Sequence, residues 1–179
     1  WLLEQTAAHV LLASGPDLAD VESGLYFALE KNGSDMTRVH RTAGIWGIRR
    51  ALTFTEYADV VVGPETGLTN AASHLATPTV IMLSHSSPEN LTKHWRNTIV
   101  LEADRATTPC AACHRLHYDW SYCHQVETTG AALCASNISP ETLFKAVRRA
   151  LAMGGKRRGK TTVGEVAPSP SGALRLSPE

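Results

Sequence analysis

At 179 residues the chain is one domain's worth, long enough to bury a sizeable core. Lys plus Arg and Asp plus Glu are equal, at 17 each, so no global field draws it to nucleic acid or to an acidic bilayer. No apolar run among these residues is long enough to cross a bilayer, and no secretory signal is expected.

Trp1 starts the chain without an initiator Met, inside what reads as a helix (Trp1 to Gln5), so the chain is expected to be cut from something longer. His9 to Ala13 follows as a short apolar strand, and Ser14-Gly15-Pro16 turns the chain. Asp17 is placed to cap a helix in which Leu18, Val21, Leu25 and Leu29 form one apolar stripe, closed by Asn32-Gly33. Val39 marks a weak strand. Ile45, Ile48, Ala51 and Leu52 predict another short helix. Arg49 and Arg50 adjoin it: arginines can clamp phosphate, although such a pair is more often a solvated face. Trp46 is expected to pack at a loop edge, with stacking on a nucleotide base as the alternative.

The stretch from Ala58 to Ser87 organises the rest. Val60-Val61-Val62 fits a buried parallel strand that Gly63 and Pro64 should stop. Glu65-Thr66-Gly67 reads as a tight polar turn, Leu68 to Leu75 as a helix of small residues, and Thr79 to Leu83 as a second strand after Pro78. Strand, turn, helix, strand is a βαβ unit, and its turn lies where phosphates bind, at the carboxyl end of a strand. Gly67 allows close approach to the backbone, and the Thr66 hydroxyl can donate to a phosphate oxygen. A carboxylate beside phosphate is repulsive, so Glu65 suits ribose or sugar hydroxyls, or holding the turn. The plain alternative is that Glu65-Thr66 only caps a helix.

Beyond Leu83 the periodicity fades. Ser84, His85 and Ser86 follow the second strand and should face the same cleft, with Lys93 and His94 further along to offset phosphate charge; an exposed polar loop is the other reading. Ile99 to Leu101 predicts an edge strand. Ser139-Pro140 should open a last amphipathic helix carrying Leu143, Phe144, Val147 and Leu151. Residues 1–153 are read as one Rossmann-like α/β domain with a doubly wound parallel sheet. Residues 154–179, with the basic run Lys156 to Lys160, are read as a disordered tail.

The cysteines fall as Cys110-x2-Cys113-x9-Cys123-x10-Cys134, with His114, His117 and His124 between them. The x2 pair matches half a structural zinc site, while the second half lacks its own Cys-x2-Cys. Zinc and packed free thiols are both open, and no feature marks a catalytic thiol.

The acidic-Thr-Gly-x-x-Asn-x-Ala run from Glu65 and the Pro-Thr-Val strand after it resemble family 9 glycosyltransferases, the ADP-heptose:lipopolysaccharide heptosyltransferase group. The likeness continues through Thr108-Pro109-Cys110-x-x-Cys113, Cys134 and Ile138-Ser139-Pro140-Glu141, so it spans roughly Trp1 to Ala152. Two positions differ: Glu65 stands where the family most often has Asp, and Asn70 where it has His. The resemblance implies the C-terminal, donor-binding half of a two-domain GT-B fold. It further implies inverting, metal-independent transfer of a heptose-like sugar from a nucleotide-diphosphate donor to a lipopolysaccharide-type glycan. Glu65, Thr66, Gly67, Asn70, Ser84, His85, Ser86 and Lys93 are then the donor-binding candidates. The catalytic base is expected in the family's first domain, which leaves this chain inactive alone. The implied setting is cytoplasmic, with at most peripheral association at the inner membrane and no nucleic-acid partner. A non-catalytic nucleotide-binding module, or a zinc-stabilised module for protein contact, is the rival reading.

Overall fold

A computed structural model describes residues 1–115 and 123–158. Short helices alternate with short strands: α1 (Leu2–Gln5), β1 (Val10–Leu12), α2 (Ala19–Lys31), β2 (Val39–Arg41), α3 (Ile48–Thr55), β3 (Val61–Pro64), α4 (Gly67–Ala72), β4 (Thr79–Met82), β5 (Thr98–Leu101), α5 (Leu133–Ser136) and α6 (Pro140–Arg158). All ladders between these strands are parallel, as helix crossovers require. They form two small sheets, β1-β2 and β3-β4-β5. The molecule is therefore mixed α/β with parallel strands. No ladder among the described residues joins β1 to β3, so the single sheet expected from the sequence is divided in two.

β4 is the middle strand of the larger sheet, and Thr79, Val80 and Ile81 on it are fully buried. Its period of two sends Val80 to one face, where it packs with Ala146, Val147 and Ala150 of α6. Leu143 and Leu151 join this core as expected, together with Leu2, Val60, Ile99 and Leu101. Ser139 caps α6: its hydroxyl accepts the Thr142 N–H at 3.1 Å, with Pro140 at the first helical position. α4 packs against β3 and β4, and α3 packs on α4. The Thr77 hydroxyl donates to the Thr55 carbonyl at 2.7 Å, tying the end of α3 to the entry of β4.

Several local expectations change. β3 runs through Gly63 and Pro64 instead of stopping before them, because they pair in register with Ile81 and Met82. β3 lies at the sheet edge, where a proline costs no ladder bond. Gly63 is needed for packing, since a Cβ there would sit 2.9 Å from the Thr69 methyl. α4 ends at Ala72, short of Leu75. α2 opens without a side-chain cap, so Asp17 does not serve as one; it lies instead in a 3₁₀ turn, Pro16–Leu18. The α2 stripe faces outward, with Leu18, Val21 and Leu25 exposed, while Glu22 is buried. Glu22 turns inward because Ser14, Arg41 and the Ala43 N–H all bind its carboxylate.

The boundary expected at Gly154 also shifts, since α6 continues to Arg158. A Cβ at Gly154 would lie 3.2 Å from the Asp59 carbonyl oxygen and 3.5 Å from Pro78, so this glycine admits close approach to neighbouring loops. The expected disordered tail beyond Arg158 lies outside the described residues. Among the described residues no helix is long and apolar enough to cross a membrane.

Candidate functional site

β3 and β4 are parallel neighbours with Pro64 opposite Met82, so the segments leaving them emerge side by side. From β3 comes Glu65, then α4. From β4 comes Leu83, then Ser84 to Ser86.

Glu65 reaches across this gap, and its side chain is only 4% exposed. One carboxylate oxygen accepts the Ser84 N–H at 2.9 Å, the Ser84 hydroxyl at 2.6 Å and the His85 N–H at 2.9 Å. The other accepts the Ser86 N–H at 2.9 Å. His85 Nδ1 also lies 2.9 Å from Glu65 Oε2. Burial alone would push this carboxyl up. The bonds from Ser84, His85 and Ser86 outweigh burial and hold it below the ordinary glutamate range. Of the two roles expected for Glu65, holding structure is the one visible, though it holds the neighbouring loop more than its own turn.

Thr66 is the N-cap of α4 and forms a capping box with Thr69. The Thr69 hydroxyl lies 3.0 Å from the Thr66 N–H, which it accepts, and 2.6 Å from the Pro64 carbonyl, to which it donates. Thr69 is 2% exposed and is the pivot of the turn, a role the sequence reading missed; its place three residues after the cap was the available signal. Thr66, Gly67 and Asn70 are exposed beside it. Nothing lies within 4 Å of a Cβ built on Gly67, so local packing does not require glycine there.

Ser84, His85 and Ser86 are half-buried and joined to this turn through Glu65. Lys93 and His94 are exposed just beyond a π-helical turn, Pro88–Thr92. Among the described residues no hydrogen bond links Lys93 to the cluster. Arg50 lies with its guanidinium 4.9 Å over the Trp46 ring, and Trp46 packs on Phe54, which puts Trp46 at the loop edge expected for it.

The cysteine loop closes the other side of Ser84 and His85. The Ala112 N–H donates to the Ser84 carbonyl at 3.3 Å, and the His114 N–H to the His85 carbonyl at 2.7 Å. Ala112 and His114 both have positive φ, 57° and 53°, a backbone form uncommon outside glycine. Cys134 lies in α5, which follows an antiparallel bridge, Gln125 to Ala132, and the Asn137 amide donates to Thr108. These ties gather the cysteine segments. Burial pushes the Cys123 thiol up, and Cys110 and Cys113 add to it. Burial likewise raises Cys134, reinforced by Cys123 and Cys110. All four cysteines are half-buried, and none is in a disulfide. Four thiols are a donor set that suits zinc. Among the described residues, however, no three His, Cys, Asp or Glu side chains converge closely enough to hold a metal ion. His117 and the rest of segment 116–122, which joins Cys113 to Cys123, lie outside the described residues.

No protein-family model, no curated protein and no solved structure matches this chain.

Proposed function

We propose that this chain is the donor-binding half of a GT-B glycosyltransferase of the family 9 type, its Rossmann-like domain binding a nucleotide-diphosphate sugar at the carboxyl ends of β3 and β4. The observation that carries the reading is the Glu65 clamp, which joins the Thr66-Gly67 turn to the Ser84–Ser86 loop across two neighbouring parallel strands. It also answers the objection that a carboxylate repels phosphate. The negative charge of Glu65 is already shared among N–H and hydroxyl donors, so less of its field reaches a ligand beside it.

In this reading Thr66, Gly67 and Asn70 line one side of the donor diphosphate, and Ser84 to Ser86 line the other. Lys93 lends charge from the rim. Inverting transfer needs no metal: an acceptor hydroxyl attacks the anomeric carbon, and the diphosphate departs toward polar groups already in place. The base that takes the hydroxyl proton is assigned to the family's first domain, so this chain binds donor and does not transfer sugar by itself. A glycan of the lipopolysaccharide type is the proposed acceptor, with the work done in the cytoplasm or at the inner face of the inner membrane. The cysteine loops brace Ser84 and His85 from behind, and a zinc ion held by them would act as a staple outside the transfer step.

The test is to incubate the chain with nucleotide-activated heptose donors and a lipopolysaccharide-core acceptor, alone and with an added family 9 first domain. Transfer only in the presence of the first domain is the expected outcome. Turnover by the chain alone would contradict its assignment as the donor half, and no transfer in either case would contradict the activity.

A further inference from the structure

His9 and His40 are 31 positions apart in the chain and meet on the smaller sheet. In the β1-β2 ladder Leu11 stands opposite His40, and His9, two residues before Leu11, shares its face. The two imidazoles are stacked, with centroids 5.3 Å apart and planes 8° from parallel. His9 Nδ1 lies 3.0 Å from His40 Nε2, a hydrogen bond in which either ring can be the donor. Both side chains are exposed, so an ion in solution can reach these nitrogens. The neighbouring cations are already committed. Arg38 pairs with Asp35 and donates to the Thr6 and Ala8 carbonyls, and Arg41 pairs with Glu22 and donates to Ser23. Two imidazoles held this way are the beginning of a metal chelate.

We propose that His9 and His40 bind one divalent transition-metal ion between β1 and β2, through His9 Nδ1 and His40 Nε2. The spacing suits such an ion without rearrangement of the strands. At metal–nitrogen bonds of about 2.0–2.1 Å, a separation of 3.0 Å corresponds to an N–metal–N angle of roughly 90–100°. That angle fits the square or octahedral coordination of Ni²⁺ and Cu²⁺, whereas tetrahedral zinc would spread the nitrogens to about 3.3–3.4 Å. Each neutral ring carries its one hydrogen on the nitrogen turned away from the ion, so binding changes no net charge on the side chains. Among the described residues no third His, Cys, Asp or Glu converges with the pair, so water completes the coordination. The bound ion links two strands that form a sheet of only two, an arrangement that is marginal without further support. The site stands apart from the donor-site reading, since no residue of that site lies on β1 or β2.

Nickel titration of the 179-residue chain, followed by calorimetry and by amide NMR, tests this. Nickel is used because Cu²⁺ would oxidise the four thiols, and one equivalent of zinc is added first to occupy them if they bind metal. Paramagnetic broadening should centre on His9 and His40 and spread to Val10, Leu11, Val39 and Arg41. His9→Ala and His40→Ala should each weaken nickel at least about tenfold, since a single imidazole forms no chelate. His40→Gln keeps a hydrogen-bonding side chain and should fold as the parent does while losing nickel to the same extent. Nickel should raise the melting temperature of the parent and of none of the three variants. Mg²⁺, which prefers oxygen ligands, should neither broaden these signals nor shift the melting temperature. Broadening centred elsewhere, equal nickel affinity in parent and variants, or no nickel bound would each overturn the site and leave His9 and His40 a hydrogen-bonded pair only.

Discussion

Glu65 spends its hydrogen-bonding capacity on the loop that follows β4, and this has a consequence for stability at acid pH. Its carboxyl is held below the ordinary glutamate range in the folded protein, against the pull of burial. The stabilisation is therefore complete above the unfolded-state pKa and is lost as pH falls through the lower, folded one. Protonation would turn an acceptor of several N–H groups into a donor facing them. The Ser84, His85 and Ser86 amides should lose protection from exchange, measured against their intrinsic rates, as pH drops through the acid range, ahead of the amides of β4. Glu65→Gln should remove that pH dependence; equal acid sensitivity in parent and variant would contradict the clamp. The sequence places Glu65, Thr66 and Ser84 to Ser86 at the ends of neighbouring strands, because strand and turn patterning locates those ends, and the structure joins them through Glu65. The sequence did not show that Glu65 binds the other loop, since a contact across 19 or more positions leaves no periodicity to read. Thr69 was hidden for a different reason: a small β-branched residue in a helix reads as filler until its hydroxyl is seen bridging two backbone groups.

At the scale of elements, the strands, α3 and α6 were legible in the sequence, and α2 misled. Its stripe of Leu18, Val21 and Leu25 has helical spacing, but the captured residue on that helix is Glu22, through Ser14, Arg41 and Ala43. Specific polar bonds to strand-end loops decided the helix rotation, and a hydrophobic pattern cannot register them. Gly63 and Gly154 were read as stops for the same kind of reason. Each is a point of close approach, to the Thr69 methyl and to the Asp59 carbonyl, visible only once the elements are packed. The cysteine segments form the least regular part of the described chain, held by Asn137 at one end and by the bonds to Ser84 and His85 at the other. If zinc is their staple, elemental analysis of purified protein should find about one zinc per chain, and chelation should lower the melting temperature. A metal-free protein of equal stability would leave thiol packing as their role.

For the whole molecule, parallel strands, crossover helices and polar strand-end loops lie in one short chain, with the loops after β3 and β4 locked together by a single buried carboxylate. The division into two small sheets leaves the candidate site entirely on the larger one, β3-β4-β5, so ligand contacts there are local and should survive in this chain alone. Affinity should be lower than in a two-domain enzyme, where closure excludes water and orients the reacting groups. Gly67 offers the cleanest probe. It is exposed, a Cβ there meets nothing within 4 Å, and it lacks the positive φ that would demand glycine. Calorimetry with ADP and UDP on the parent and on Gly67→Val, each checked by thermal melting, is the decisive measurement. The expected result is that the parent binds at least one of the two, and that Gly67→Val melts with the parent but loses at least about tenfold in affinity. Parental affinity in Gly67→Val, or a parent that binds neither nucleotide, would contradict a diphosphate site at this turn.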